Sequence, residues 1–202
     1  QISKSINPSE SIINQIEKED KLLFYPYESM DSFLQLLKES AADPDVISIK
    51  ITIYRLASLS KVAEQLAFAS ENGKEVVVLM ELKARFDEDN NIRWSERLEE
   101  SGCTVIYGFE GYKVHSKICL ITRHKDGEIQ YISQFGTGNY NEKTSKQYTD
   151  LSLMTANKDL GKDAQKFFNN MMIGNLDGEY TDLLVAPNGL KPKIIQYINQ
   201  EI

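Results

Sequence analysis

Cysteine is scarce: Cys103 and Cys119 are the two in 202 residues, too few for a disulfide framework and without metal-ligand spacing. Reduced thiols in a cytosolic protein are the expectation. Apolar runs stay well below the about 18 residues that a membrane span needs, and the first residues lack the basic start and apolar middle of a secretory signal. Eleven glycines and five prolines are too few for collagen-like or low-complexity sequence. Basic side chains are outnumbered, 23 Lys and Arg against 30 Asp and Glu, for a formal net charge of −7. That balance argues against a surface that coats nucleic acid, and no nucleic-acid partner is expected. A starting Met is also missing, so the chain is expected to be a piece of a longer protein.

What is present suffices for a buried core. With 41% apolar and 26% charged residues, the composition is that of one ordinary folded domain. Residues 1–20 are polar and charged and read as a helical or irregular lead-in outside the core. Past Tyr25-Pro26-Tyr27, Ser29 can cap a helix with Met30, Phe33, Leu34 and Leu37 on one stripe, which Pro44 ends. In residues 46–54, Ile47, Ile49, Ile51 and Ile53 alternate with Ser48, Lys50, Thr52 and Tyr54, the period of a strand. A helix with Leu59, Val62, Ala63 and Leu66 follows, and residues 76–80 form an apolar run suited to a strand buried on both faces. Strand, helix and strand at this spacing imply a parallel βαβ unit.

The rhythm repeats once, through a helix bearing Ile92, Trp94 and Leu98 to a strand at 104–107, and then changes. Residues 114–121 and 128–133 flank Asp126-Gly127, a hairpin signal, so this pair is expected to be antiparallel. A strand at 150–155 and a helix with Leu160, Ala164, Phe167, Phe168 and Met171 follow. Residues 183–185 could add a strand, and Ile194, Ile195 and Ile198 mark a last helix. The fold class is therefore α/β, a mixed parallel and antiparallel sheet flanked by helices.

If residues 114–121 are a strand, His115, Lys117 and Cys119 face one way, the first two roughly 6.6 Å apart along it. An imidazole and an ammonium so placed can share a phosphate, the ring nitrogen attacking phosphorus while Lys117 holds a non-bridging oxygen. A half-buried strand whose polar face happens to carry His and Lys is the competing reading. Some twenty residues on, Gly136-Thr137-Gly138-Asn139 could let backbone N–H groups approach an anion. Arg55 and Arg85 each follow a strand, where ligands of open α/β sheets gather, although either could be a surface arginine paired with Asp87 or Glu88. The net charge does not forbid a polyanion. Exposed charges are screened over about 8 Å, whereas a charge-assisted hydrogen bond contributes roughly 1.5–3 kcal/mol. Lys143 and Lys146 could join such a cationic site, while Arg123, His124 and Lys125 are expected at the solvated hairpin tip.

H-x-K followed by G-x-G-N resembles one half of the phospholipase D-like phosphotransferase fold. In order, the chain carries Tyr25-Pro26-Tyr27, Ile49-Lys50-Ile51-Thr52-Ile53-Tyr54-Arg55, Glu81-Leu82-Lys83-Ala84-Arg85-Phe86-Asp87-Glu88, Lys113-Val114-His115-Ser116-Lys117, Gly136-Thr137-Gly138-Asn139-Tyr140-Asn141-Glu142-Lys143-Thr144 and Tyr148-Thr149-Asp150. Together they resemble the bacterial polyphosphate kinases of the histidine-phosphorylating type, from about residue 22 to 185. The resemblance implies a first phospholipase D-like catalytic half over residues 22–182, after a lead-in over 1–21 and before a connection at 183–202 to an absent second half.

It further implies reversible transfer of the terminal phosphate of ATP to polyphosphate through phosphorylated His115, assisted by Lys117. Arg55 and Arg85 would belong to a magnesium–phosphate site, Tyr148 would contact nucleotide, and Asn139 and Lys143 would line the phosphate site. Guanidinium lacks an acceptor, so the arginines would clamp phosphate oxygens to which Mg²⁺ is also bound. Mg²⁺, ATP or ADP, polyphosphate, homo-oligomerisation and a cytoplasmic location with peripheral membrane association are the implied cofactor, ligands and setting. The phospholipase D pattern places Asp five residues after the lysine, where this chain has Thr122, which disfavours a phosphodiesterase or nuclease. His124 cannot supply a second H-x-K, because Asp126 replaces the lysine. The remaining rival is a noncatalytic scaffold domain.

Overall fold

β2 (Val46–Ile53) carries the expected alternation and becomes a central strand. Ile49, Ile51 and Ile53 enter one core, while Ser48, Lys50 and Thr52 are buried on the opposite face; Ile47 stays exposed beside a β-bulge between Val46 and Ser48. The computed structural model describes residues 3, 5–81, 84 and 87–202. Preceding β2 are α1 (Ile12–Lys18), β1 (Lys21–Tyr25) and α2 (Asp31–Ala42). Following it are α3 (Lys61–Glu71), β3 (Glu75–Met80), α4 (Glu88–Glu100) and β4 (Thr104–Tyr107). Then come β5 (Ile118–Lys125), β6 (Glu128–Gly136), a 3-10 turn (Thr144–Lys146), β7 (Asp150–Thr155), α5 (Lys158–Met172) and α6 (Leu190–Glu201).

The seven strands among the described residues lie in the order β1-β7-β6-β5-β2-β3-β4. β2, β3 and β4 are parallel, joined by α3 and α4, and the pairs from β2–β5 through β7–β1 are antiparallel. Asp126 and Gly127 both take positive φ, 54° and 81°, which makes the two-residue turn that matches the twist of β5 and β6. One face is packed by α1, α2 and α3 around Phe33, Leu36, Ile49, Ile51 and Leu66. α5 packs the other, with Phe167, Phe168 and Met171 against Ile118 and Leu120.

Several expectations are corrected. The lead-in expected over residues 1–20 is not wholly outside the core: among its described residues, Ile12, Ile13 and Ile16 are almost fully buried, because three isoleucines at i, i+1 and i+4 form an apolar stripe amid the polar surroundings. Met30, not Ser29, is the N-cap of α2, and the Ser29 hydroxyl accepts a bond from the Asp31 N–H. Leu59 precedes α3 and is exposed, the cap being Ser60. β5 begins at Ile118, so His115 and Lys117 lie on the segment entering the strand rather than on it. Residues 183–185 are not a strand; Leu183 and Val185 pack irregularly against the α5 core. α6 forms as expected but buries no residue.

Arg123 is the largest departure. Placed by sequence at a solvated tip, it is 4% exposed, with Nη1 on Glu17 of α1 and Nη2 3.1 Å from Asp43 and 3.7 Å from Asp45. Two helix ends are thereby tied to the sheet through one guanidinium. Removing it leaves three carboxylates together, with Glu17 keeping Lys125 at 4.0 Å. Arg123→Ala is expected to lower the unfolding free energy by about 3 kcal/mol, the low end for a broken buried pair because the acids keep part of their water. A urea midpoint unchanged from wild type would refute this.

Candidate active site

One end of the sheet collects the polar groups, and the strand directions explain why. β2 and β3 end there, antiparallel β5 begins there, β6 ends there and β7 begins there. Consequently Tyr54 and Arg55, the His115–Lys117 segment, Gly136 and Asp150 all lie at that end despite their separation in sequence.

The His115–Lys117 segment has no ladder of its own and is held by side chains. The Thr52 hydroxyl donates to the Ser116 carbonyl at 2.8 Å and accepts the Ile118 N–H at 3.1 Å. The Gly136 N–H donates to the Lys117 carbonyl at 2.9 Å, seating the glycine run beside H-x-K. His115 is exposed and Lys117 buried, so strict alternation fails to describe them; Cys119 is fully buried in the opposite core. Lys117 Nζ lies 3.2 Å from His115 Nδ1 and donates to the His115 carbonyl. The His115 and Tyr54 rings form a T-shaped pair with centroids 5.1 Å apart, and Lys117 and Arg55 lie 5.6 and 5.9 Å from the Tyr54 ring. Tyr54 is thus the hub that binds the cations to the imidazole, within reach of cation–π attraction.

Charge and burial set the protonation states. Burial first, and the Lys117 ammonium second, hold the His115 pKa below its ordinary 6.5, so the imidazole is neutral at pH 7. Burial lowers the Lys117 pKa, partly countered by the Asp150 carboxylate. Asp150 is fixed by the Thr137 hydroxyl at 2.8 Å. It also explains Gly138: a Cβ there would sit 2.5 Å from an Asp150 carboxylate oxygen. The need for small residues in Gly136-Thr137-Gly138-Asn139 therefore comes from close packing against Asp150 and Gln134.

Arg55 pairs with Asp87 through Nε at 2.7 Å, the pairing foreseen as its competing role, while still facing the Tyr54 ring. Asp87 is the N-cap of α4 but makes no capping bond, its carboxylate being turned to Arg55. Arg85 lies outside the described residues. Asn139 follows the glycines and is half-buried. Tyr148 and Lys143 stand exposed on the β6–β7 connection; among the described residues no hydrogen bond or ion pair joins them to His115 or Lys117. Thr122 sits in mid-β5, some 17 Å along the strand from Lys117, too far for residue 122 to touch His115. Sequence reasoning missed Tyr54, Thr52, Glu81, Asn91 and Asp150 as parts of this end. For Tyr54, Thr52, Glu81 and Asp150, positions at strand ends were the available signal; Asn91, in the first turn of α4, offered none.

Among the described residues, no group of three or more His, Cys, Asp and Glu side chains is placed to hold a metal ion. Arg55 has no lone pair to offer. The described residues therefore do not fit a magnesium ion ligated by protein alone. No helix among the described residues is long and apolar enough to cross a membrane.

The fold is that of the phospholipase D class. The chain superimposes on Nuc, a phospholipase D family member from Salmonella typhimurium, with TM-score 0.57 and 17% identity over 77% of this chain and 92% of that one. NucT from Helicobacter pylori gives 0.62 and 17% over 77% and 96%. At this identity the likeness concerns fold alone. Residues 11–176 match the family model for polyphosphate kinase C-terminal domain 1. Polyphosphate kinases from Halalkalibacterium halodurans and Staphylococcus epidermidis are 46% and 44% identical over 95% and 94% of this chain, but over 27% and 26% of their own lengths. The crystal structure of polyphosphate kinase from Porphyromonas gingivalis superimposes with TM-score 0.87 at 39% identity, covering all of this chain and 34% of that one. The chain belongs to the polyphosphate kinase family. It spans about a quarter of the length of these curated relatives.

Carbethoxylation of His115, mapped by mass spectrometry against pH, reports how its imidazole is protonated. The half-maximal rate is expected below pH 6.5, and Lys117→Gln should move it only partway up, burial being the larger cause. A wild-type midpoint at or above 6.5 would contradict the assignment.

Proposed function

We propose that this chain is the first catalytic half of a polyphosphate kinase and that His115 accepts the terminal phosphoryl group of ATP, passing it to polyphosphate or, in reverse, to ADP. The observation that carries this reading is an accessible imidazole kept neutral beside two cations, Lys117 and Arg55, around one tyrosine ring. A neutral imidazole has a lone pair for attack, and Lys117, which adds to burial in keeping it neutral, and Arg55 are the groups a phosphoryl dianion needs.

The geometry implies a rearrangement when substrate binds. An ammonium donating to Nδ1 leaves the ring proton on Nε2, whereas attack through Nε2 requires that proton on Nδ1. As the phosphate enters, Lys117 turns from the ring to a non-bridging oxygen and the imidazole takes the other tautomer. Nε2 then forms the N–P bond while the bond between phosphorus and the ADP oxygen breaks in line, and ADP leaves with those electrons. Arg55 neutralises equatorial oxygens, and the protein's contribution is positioning and charge. Because the described residues do not fit a protein-ligated ion, magnesium is assigned to the nucleotide as part of the substrate. Tyr148, Lys143 and Asn139 are assigned to nucleotide and phosphate contacts at the mouth of the site, and Arg85 to the phosphate clamp by family resemblance.

Two measurements on the full-length protein test this. With γ-labelled ATP and Mg²⁺, wild type should acquire acid-labile phosphate mapping to His115, and His115→Ala should acquire none. Label on another residue in both proteins would refute the assignment. Arg55→Ala should slow phosphoryl transfer by about 10²-fold, the scale for removing one donor aimed at developing charge. Unchanged kinetics would remove Arg55 from the site.

A further inference from the structure

Glu81 is a buried carboxylate, 6% exposed, immediately after β3 and outside the cluster just described. Leaving a carboxylate in such a place is costly unless hydrogen bonds satisfy it. Its Oε2 accepts the backbone N–H of Val114 at 3.1 Å, one residue before His115, and its Oε1 lies 3.5 Å from the Lys113 ammonium. The backbone of Glu81 is itself pinned: its N–H donates to the Ile53 carbonyl at 2.8 Å, and its carbonyl accepts from the buried Asn91 amide at 2.8 Å. The same Asn91 amide donates to the Tyr54 carbonyl at 2.9 Å, and its oxygen accepts the Leu56 N–H at 3.4 Å. One rigid junction thus reaches both the strand end that carries Tyr54 and Arg55 and the segment that carries His115.

The crossing is close. The Gly108 N–H donates to the Met80 carbonyl, and a Cβ on Gly108 would lie 2.9 Å from the Val114 side chain and 3.9 Å from Glu81 Oε2. Beyond His115 the segment is held by Thr52; before it, the Val114 amide is held by Glu81. We propose that Glu81 is a positioning residue whose carboxylate oxygen, through the Val114 N–H, sets the backbone from which the His115 imidazole is presented. The role rests on His115 being the phosphorylated group. What it asks of residue 81 is an acceptor at a given reach, because the Val114 partner is an uncharged backbone N–H.

Three variants of the full-length protein separate these possibilities. Glu81→Ala deletes the acceptor, Glu81→Gln keeps an acceptor without charge, and Glu81→Asp keeps the charge but draws the acceptor back by one methylene. Phosphorylation of His115 is followed by rapid quench with labelled ATP and divided by the number of nucleotide-binding sites, so that unfolded protein does not count. Glu81→Ala should slow the saturated rate by about 10- to 100-fold, the scale of a misplaced reacting group, with KM for ATP changed less than about threefold. Glu81→Gln should stay within about threefold of wild type and exceed Glu81→Asp, an order that stands even if the alanine variant does not fold. Glu81→Ala at the wild-type rate, or Glu81→Asp faster than Glu81→Gln, overturns the role of Glu81 alone. Absence of label from His115 in the wild type overturns the nucleophile assignment and this role with it.

Discussion

The antiparallel seat of β5 against β2 is the constraint on which the site depends. β2 lies between a parallel neighbour, β3, and an antiparallel one, β5, so the ends of two parallel strands face the start of β5. Had the chain continued the parallel rhythm of its first half, the H-x-K segment would stand at the opposite end from Arg55. The Asp126-Gly127 turn completes the inversion by returning β6 to the same end, which delivers Gly136 beside Lys117. Both cores, one on each sheet face, keep that register, since a slip of one residue would move Cys119 and Ile121 out of one core and Leu120 out of the other.

Around this frame, buried polar groups do the aiming. Thr52 holds the backbone after His115, Glu81 the backbone before it, and Asn91 links Glu81 to Tyr54. Thr52 and Glu81 stand at strand ends, and Asn91 reaches them from the first turn of α4. Their cooperation gives an irregular segment a defined shape without lengthening the strand. Electrostatics then acts locally: the chain is acidic overall, yet Lys117 and Arg55 meet at the Tyr54 ring and keep a neutral imidazole in cationic company.

Much of this was legible in the sequence because it rests on short-range signals. Isoleucine alternation marked β2, the apolar run marked β3, and Asp-Gly marked the hairpin that reverses the sheet. Arg55 and His115-x-Lys117 were visible as residues able to handle phosphate. What stayed hidden depends on partners far along the chain. Arg123 looked like part of a solvated turn because Glu17, Asp43 and Asp45 reach it only after folding. β1 and the isoleucines of α1 were obscured by polar neighbours, although they complete the sheet edge and the core. Glu81 looked like one of 30 acids, and its burial and its bond to an amide 33 residues later appear only in the folded chain. The glycines of 136–138 appeared to invite an anion, whereas the space they leave belongs to Asp150 and Gln134.

The central claim is that His115 is a covalent way-station in phosphoryl transfer and more than a residue near the substrate. Kinetic competence tests it most directly: rapid-quench measurement of phosphoenzyme formation and of its chase into polyphosphate, in the full-length protein, against steady-state turnover. Formation and chase on His115 both at least as fast as turnover are the expected result. Labelling of His115 slower than turnover would contradict the claim and leave the imidazole a bystander in its own site.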